Sequence, residues 1–281
     1  KGKEEKEEVG PRDFKFLTML GAGDVGKVYL ARKRGTKDLF AVKILQKKEM
    51  VQRKKVKRVL VEREILSIVD HPFIVSLHWS FQSLSQVYYV MEFCAGGGFY
   101  RMLSKLPERR LLEDPARFYS AEVLLALEYL HMQGFIYRDL KPENILIHHT
   151  GHIKLADFDL SKTSNTPVHS RLTDQVFVAK PTLITNSFVG TAEYIAPEII
   201  TGFGHTSTVD WWTFGILLYE MLFGFTPFAS STQSGLFENV LHQEVEFPER
   251  IPISKNCRDF IRKLLKPDPK KRLGAVDGAP D

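Results

Sequence analysis

Cysteine is nearly absent from this chain: only Cys94 and Cys257 occur, too few and too far apart for a disulfide framework or a cysteine-ligated zinc site. Such sparing use matches a reducing compartment, and a cytoplasmic location is expected. The opening "KGKEEKEEVGP" is charged throughout and lacks the apolar stretch of a secretory leader, so no signal peptide is expected. Uninterrupted apolar runs are also missing. The longest candidate, "TVDWWTFGILLYEMLFGF" at 208 to 225, carries Asp210 and Glu220 inside it, which would be costly in lipid. A buried core helix is the better reading. Charge of one sign is not in excess either. A net charge of +5 gives no argument for a nucleic-acid partner, although it would assist contact with anionic membranes or acidic partners. Internal repeats are not apparent.

Hydrophobic residues make up 43% of the chain, enough for one large core or two moderate ones. Residues 1–12 read as a flexible charged tail, with order beginning near Asp13. From "FKFLTMLGAG" through "LFAVKILQK", short apolar segments alternate with Gly and charged turns and predict three antiparallel strands. One helix is predicted from Lys54 to Val69, closed by Pro72, then strands in "SLHWSFQS" and "QVYYVMEF". "AGGG" at 95–98 reads as a hinge between a strand-rich lobe, 13–94, and a helical lobe, 95–281. The long helix in "EDPARFYSAEVLLALEYLHMQG" is expected to have Asp114 as its cap, Pro115 first and Gly134 at its end. Residues 162–186 show no clear periodicity and predict a long loop, and helices resume near Ser207.

"GAGDVGKV" places Gly21, Gly23, Gly26 and Val28 between two predicted strands, where a glycine-rich hairpin could lie over phosphates as a flap. Lys43 in "FAVK" sits on a strand with core-facing neighbours, and a lysine there needs an anionic partner; Glu62 on the next helix is the candidate. In that pairing Lys43 holds nucleotide phosphates and Glu62 orients it. "YRDLKPEN" at 137–144 then supplies a proton acceptor, Asp139, a cation for a moving phosphoryl group, Lys141, and a metal-binding amide, Asn144. "ADFD" adds Asp157 as second metal ligand.

This constellation resembles the eukaryotic protein kinases over about Asp13 to Gly274, with further matches in "GTAEYIAPE" (190–198), "DWWTFGILLYEM" and "KRLG". The resemblance implies an α+β bilobal fold, with a small antiparallel-sheet N-lobe and a larger helical C-lobe. It implies ATP and Mg2+ as cofactors, with nucleotide contacts at Gly21, Ala22, Gly23, Asp24, Val25, Gly26, Val28, Ala41, Lys43, Met91, Glu92 and Cys94. It also implies that Glu198 pairs with Arg272 and that Asp210 braces the catalytic-loop backbone. Lys141 and Thr191 resemble Ser/Thr-specific kinases. Tyr137, "HPFIV" and "GTAEYIAPE" are similar to the AGC group, and "DFDLS" with "NSFVGTAEYIAPE" to its fungal flippase kinases and plant phototropin-type kinases. Protein Ser/Thr hydroxyls are then the expected substrates, a lipid flippase the substrate suggested by the fungal likeness, and the chain is expected to be a monomer.

Three departures mark the sequence. Asp159 replaces the glycine of the metal triplet; the ligand, Asp157, is intact, so catalysis is expected to survive while the flipped triplet becomes harder to reach. Gly98 stands where AGC kinases carry an acid, which predicts a weakened preference for basic sites, with Glu143 and Glu220 remaining to receive basic peptide side chains. The chain stops at "GAVDGAPD", before the tail with which AGC kinases support the N-lobe, so a truncated form with a less firmly held Glu62 helix is expected. Ser187 aligns with the activation-segment phosphosite, with Arg138 as docking residue, basic residues of "RKKVKR" (53–58) as further partners, and an upstream kinase as activator. The alternative to an enzyme is a pseudokinase scaffold, but Lys43, Glu62, Asp139, Asn144 and Asp157 are all present.

Overall fold

The structure is a computed structural model that describes residues 9–23, 25–163, 169–173, 176–180, 185 and 189–281. The chain divides into two compact units, residues 1–70 with 75–95, and residues 71–74 with 96–281.

The first unit is a five-stranded antiparallel sheet in the order β1-β2-β3-β5-β4, built from β1 (Phe14–Ala22), β2 (Gly26–Lys33), β3 (Leu39–Gln46), β4 (Leu77–Gln82) and β5 (Gln86–Glu92). Alternation places Phe40 and Val42 in a cluster with Phe14, Ala31, Tyr88 and Val90, while Leu45 and Tyr89 join Val25, Met50 and Val59 in a second one. Order begins earlier than expected, because Val9 packs against the first cluster and the Gly10 N–H donates to Asp13 at 2.8 Å. Instead of one helix from Lys54 there are two, α1 (Lys47–Gln52) and α2 (Val56–Ile68), with Lys54 between them at φ 55°. Like charges at 53, 54, 55, 57 and 58 repel along a continuous helix, and Met50 alone anchors the first turn to the core.

The second unit holds a three-stranded sheet of β6 (Gly97–Gly98), β8 (Ile145–Ile147) and β9 (Ile153–Leu155). Residues 71–74, expected in the N-lobe, belong here, because the Phe73 carbonyl accepts the Leu155 N–H at 2.8 Å and the His71 ring stacks on Tyr129 at 5.0 Å. After the short helix α3 (Phe99–Leu103) comes α4 (Glu113–Met132). Leu112 precedes its first turn and Asp114 lies within it, so Asp114 is not the cap. Glu113 is drawn instead to Ser254, accepting its N–H at 2.7 Å and its hydroxyl at 2.6 Å, while Asp114 pairs on the surface with Arg117. Gly134 ends the segment at φ 81°, as expected.

Strand β7 (Phe135–Ile136) pairs with β10 (Lys162–Thr163). Within residues 162–186, expected to form a long loop, β11 (His169–Thr173) and β12 (Val176–Lys180) pair as strands; "VFVAK" carries the β-branched and aromatic signal. Helices α5 (Pro197–Thr201), α6 (Thr208–Phe223), α7 (Gln233–His242) and α8 (Lys255–Leu264) complete the unit. The apolar run forms α6, buried over all but two of its residues. Among the described residues no helix is long and apolar enough to cross a membrane.

Candidate active site

The first unit supplies the glycine-rich turn and a buried ion pair. Gly21 and Ala22 lie at the end of β1 opposite Val28 and Lys27, and the Gly23 N–H donates to the Gly26 carbonyl at 2.9 Å. A Cβ on Gly26 would sit 2.2 Å from the Ile44 carbonyl oxygen, so β3 itself demands glycine there, whereas a Cβ on Gly21 or Gly23 would meet nothing within 4 Å. Those two positions leave the backbone open to close approach by a phosphate. Asp24 lies outside the described residues. The Val25 side chain, expected at the nucleotide, packs instead in the cluster of Leu45, Met50, Val59 and Tyr89, and its carbonyl accepts the Gln46 N–H at 2.9 Å.

Lys43 lies opposite Val28 and Tyr89 in the sheet, and its Nζ donates to Glu62 Oε1 at 2.6 Å. Glu62 is 2% exposed, so a carboxylate there relies on that ammonium as its partner. Tyr89 was not predicted to take part, yet its hydroxyl donates to the Val59 carbonyl of α2 at 2.8 Å. Burial, then the Glu62 charge, push the Tyr89 hydroxyl far above its ordinary pKa, so it stays protonated and tethers the helix that carries Glu62. Ala41 faces Leu30 and Met91 across the sheet. Glu92 is fixed by Ser76, whose N–H donates to its carboxylate at 2.8 Å, and Cys94 is buried nearby in sequence.

The second unit supplies the catalytic loop. Asp210, fully buried on α6, accepts the backbone N–H of Tyr137 at 2.9 Å and of Arg138 at 2.7 Å, and meets His131 Nε2 at 2.8 Å. Three donors on one carboxylate fix the loop and let Arg138 keep a left-handed φ of 65°. Arg138 Nε donates to the Leu160 carbonyl at 2.8 Å.

Asp139 carries the candidate base. Its carboxylate accepts from Asn144 Nδ2 at 2.8 Å and from Lys141 Nζ at 3.0 and 3.1 Å. Burial raises its pKa above the ordinary aspartate value, Lys141 and Asn144 oppose that rise, and Asp157 adds to it. Lys141 also donates to Thr191 Oγ1 at 2.7 Å, so the segment before "APE" reaches the catalytic cation.

Asn144 Nδ2 donates to both the carboxylate and the backbone carbonyl of Asp139, which leaves Oδ1 as the acceptor of that amide. Asp157 has φ 56°, a strained conformation for a non-glycine residue, and is followed by the fully buried Phe158, whose ring meets Tyr137 edge-on at 5.2 Å. Tyr137 also donates its hydroxyl to the Ala156 carbonyl, clamping the triplet from both sides. Asp159 does not take positive φ, and its N–H donates to Asp157 Oδ1 at 3.4 Å, so this arrangement does not use the freedom of glycine. No group of three His, Cys, Asp or Glu suited to a metal exists among the described residues. The donors offered by Asn144 and Asp157 are two hard oxygens, which suits a divalent ion that completes its shell with water and phosphate.

Glu220 accepts the Tyr194 hydroxyl, and the charges of Glu143 and Glu193 reach the same pair. Burial raises the Glu220 pKa, and it raises that of Tyr194 strongly, so three carboxylates surround a neutral phenol and favour an added cation. Glu193 and Tyr194 were not singled out in the sequence; their place beside Glu220 is set by the fold. Glu198 and Arg272, both buried, form a two-pronged pair at 2.7 and 2.9 Å. Ser187 lies outside the described residues.

Residues 14–279 match the protein kinase domain. The chain is 54% identical to Flippase kinase 1 of Saccharomyces cerevisiae, over 97% of this chain and 31% of that protein. It is 52% identical to the serine/threonine-protein kinase nrc-2 of Neurospora crassa, over 98% of this chain and 46% of that protein. It is 47% identical to Phototropin-1A of Oryza sativa, over 98% of this chain and 31% of that protein. The chain thus spans about a third to a half of the length of these curated relatives. Matched to that domain over nearly its whole length, the chain belongs to the protein kinase family, among relatives of AGC type.

Proposed function

We propose that this chain is a serine/threonine kinase domain that moves the γ-phosphoryl group of ATP, with Mg2+, to hydroxyls of protein substrates. The observation that carries the reading is Asp139, a carboxylate held ready by Asn144 and Lys141 with its pKa raised by burial. Asp139 accepts the substrate hydroxyl proton as the new P–O bond forms and the bond to the ADP oxygen breaks. Lys141 offsets the negative charge of the phosphoryl group in transit, and Lys43, steadied by Glu62, holds the phosphates that remain on ADP. Mg2+ bound by Asn144 and Asp157 would neutralise phosphate charge and hold the γ-group in line. The intact set of five groups leaves no observation that favours a scaffold reading.

The carboxylates of Glu143, Glu193 and Glu220 support selection of substrates with basic residues near the acceptor, in the weakened form that Gly98 predicts. The likeness to a protein named a flippase kinase supports a substrate among flippases. A radiolabelled-ATP assay on an arrayed Ser/Thr peptide library, with Asp139→Asn as control, tests the reading. Incorporation that is lost in the control and favours basic peptides is expected; equal incorporation by both proteins, or none, would overturn it.

A further inference from the structure

The chain's surplus of positive charge is concentrated on one helix and its flanks. Between residues 250 and 271 there are eight Lys and Arg against two Asp, whereas the whole chain has a net charge of +5, so the remainder is close to neutral. Helix α8 turns Ile261 and Leu264 into the core. Lys255, Arg258 and Arg262, spaced by three and four residues, therefore share its outer face, and Lys266 follows just past its end. Off that face, Lys263 pairs with Asp259 at 2.8 Å. Lys255, Arg258, Arg262 and Lys266 have no ion-pair partner among the described residues. Glu244, Glu246 and Glu249 are exposed in the lead-in to α8, and they pair with none of the four.

An aromatic surface adjoins this stripe. The Arg258 and Arg262 guanidinium groups lie over the Phe247 ring, 5.9 and 5.0 Å from its centre. Stacking of that kind holds a guanidinium in place while its N–H edge stays open to phosphate or carboxylate oxygens. Arg258 Nε is buried there with no hydrogen-bond partner among the described residues. Phe247 meets Tyr219 and Phe223 at 6.0 Å each. Both of those rings reach Phe225, at 5.8 and 6.4 Å, and Phe225 is 41% exposed.

We propose that the outer face of α8, with Phe225, is a docking surface for an anionic phospholipid bilayer. A bilayer answers both halves of the surface: its headgroups meet a row of uncompensated cations, and its interface takes up an exposed aromatic ring. An acidic peptide answers the cations alone. Held in this way, the unit that carries Asp139 works at the membrane surface. The inference rests on α8 and is independent of turnover.

The test is co-sedimentation with vesicles of phosphatidylcholine carrying about 30% phosphatidylserine, and with phosphatidylcholine alone, at about 0.1 and 0.5 M salt. Wild type is expected to bind the anionic vesicles at the lower salt only. Lys255→Gln, Arg258→Gln, Arg262→Gln and Lys266→Gln combined should weaken that binding at least about tenfold, and Phe225→Ser alone by about threefold. An equal loss of charge elsewhere, in Lys15→Gln, Arg32→Gln, Lys37→Gln and Lys48→Gln combined, should leave it within about twofold. Thermal melting checks each fold; if the α8 variant does not fold, Arg262→Gln with Lys266→Gln takes its place, with a loss of about fivefold expected. The proposal is overturned by no binding in wild type, by equal binding to neutral vesicles, by an equal loss in the charge-matched control, or by unchanged binding of Phe225→Ser. Binding to polyglutamate without binding to vesicles also overturns it, and would make an acidic protein the occupant.

Discussion

Asn144 commits its side-chain nitrogen wholly to Asp139, donating to its carboxylate and its carbonyl at 2.8 Å each. One amide thereby sets the direction of the base and keeps its oxygen as the acceptor proposed to hold the metal. Asn144→Ala should lower kcat/KM at least tenfold and raise the Mg2+ concentration needed for half-maximal rate. Initial rates across a magnesium series check this; loss of rate with an unchanged metal requirement would separate the two roles.

Lys141 and the burial of Asp139 pull its pKa in opposite directions, with burial the stronger. Removing the cation in Lys141→Ala leaves burial and Asp157 unopposed by it, so the carboxyl pKa rises further. Less of the base is then ionised at a given acidic pH, and the acid limb of kcat should move to higher pH, with kcat lower by about 10². A pH–rate profile in which both proteins share one acid limb would refute this.

Arg272 and Glu198 are each almost fully enclosed. Breaking the pair with Arg272→Met strands a buried carboxylate, and should cost about 3–5 kcal/mol of stability in urea unfolding. Arg272→Met combined with Glu198→Leu should recover part of that loss, because no uncompensated charge then remains.

Asp159 sits at a φ open to any residue, so Asp159→Gly should leave kcat within about threefold while lowering stability by about 0.5–1 kcal/mol through the unfolded chain. The added freedom should also strengthen binding of inhibitors selective for the flipped triplet. Equal inhibitor affinity in both proteins would show that residue 159 does not govern the flip.

His205 binds its proton near pH 4 when folded, against 6.5 ordinarily. A base whose folded pKa is depressed contributes full stability above its unfolded pKa and loses it as pH falls towards the folded one. Relative to pH 7, this group should remove about 2 kcal/mol at pH 5. His205→Asn lacks that component, so the stability gap between variant and wild type should narrow between pH 7 and pH 5.

The residues of the catalytic loop were legible in the sequence because phosphoryl transfer needs particular groups at close spacing, and "YRDLKPEN" keeps them within eight positions. So was the Lys43–Glu62 pair, where a charge in an apolar segment announces a partner, whereas Glu198–Arg272 was legible only through the resemblance to protein kinases. Val25, Tyr89 and Glu193 were not. Each takes its role from a residue far off in sequence, and nothing local distinguishes a core valine from a loop-tip valine. The β11–β12 hairpin was passed over for a different reason: its polar neighbours diluted a short strand signal. The missed break at Lys54 and the misplaced Asp114 cap both reflect tertiary demands, from Met50 and Ser254, that override local helix preferences.

The bond between Glu198 and Arg272 joins residues 74 positions apart, and this spacing has a consequence for synthesis. At about 5–20 residues per second, roughly 4–15 s separate the emergence of the carboxylate from that of its guanidinium. During that interval α6, apolar on nearly every side, has been made, while the partner that closes the helical unit around Glu198 has not. The nascent chain therefore carries its most hydrophobic helix before the unit can close, and its yield in the cell should respond more sharply to chaperone supply than to any change at the catalytic loop.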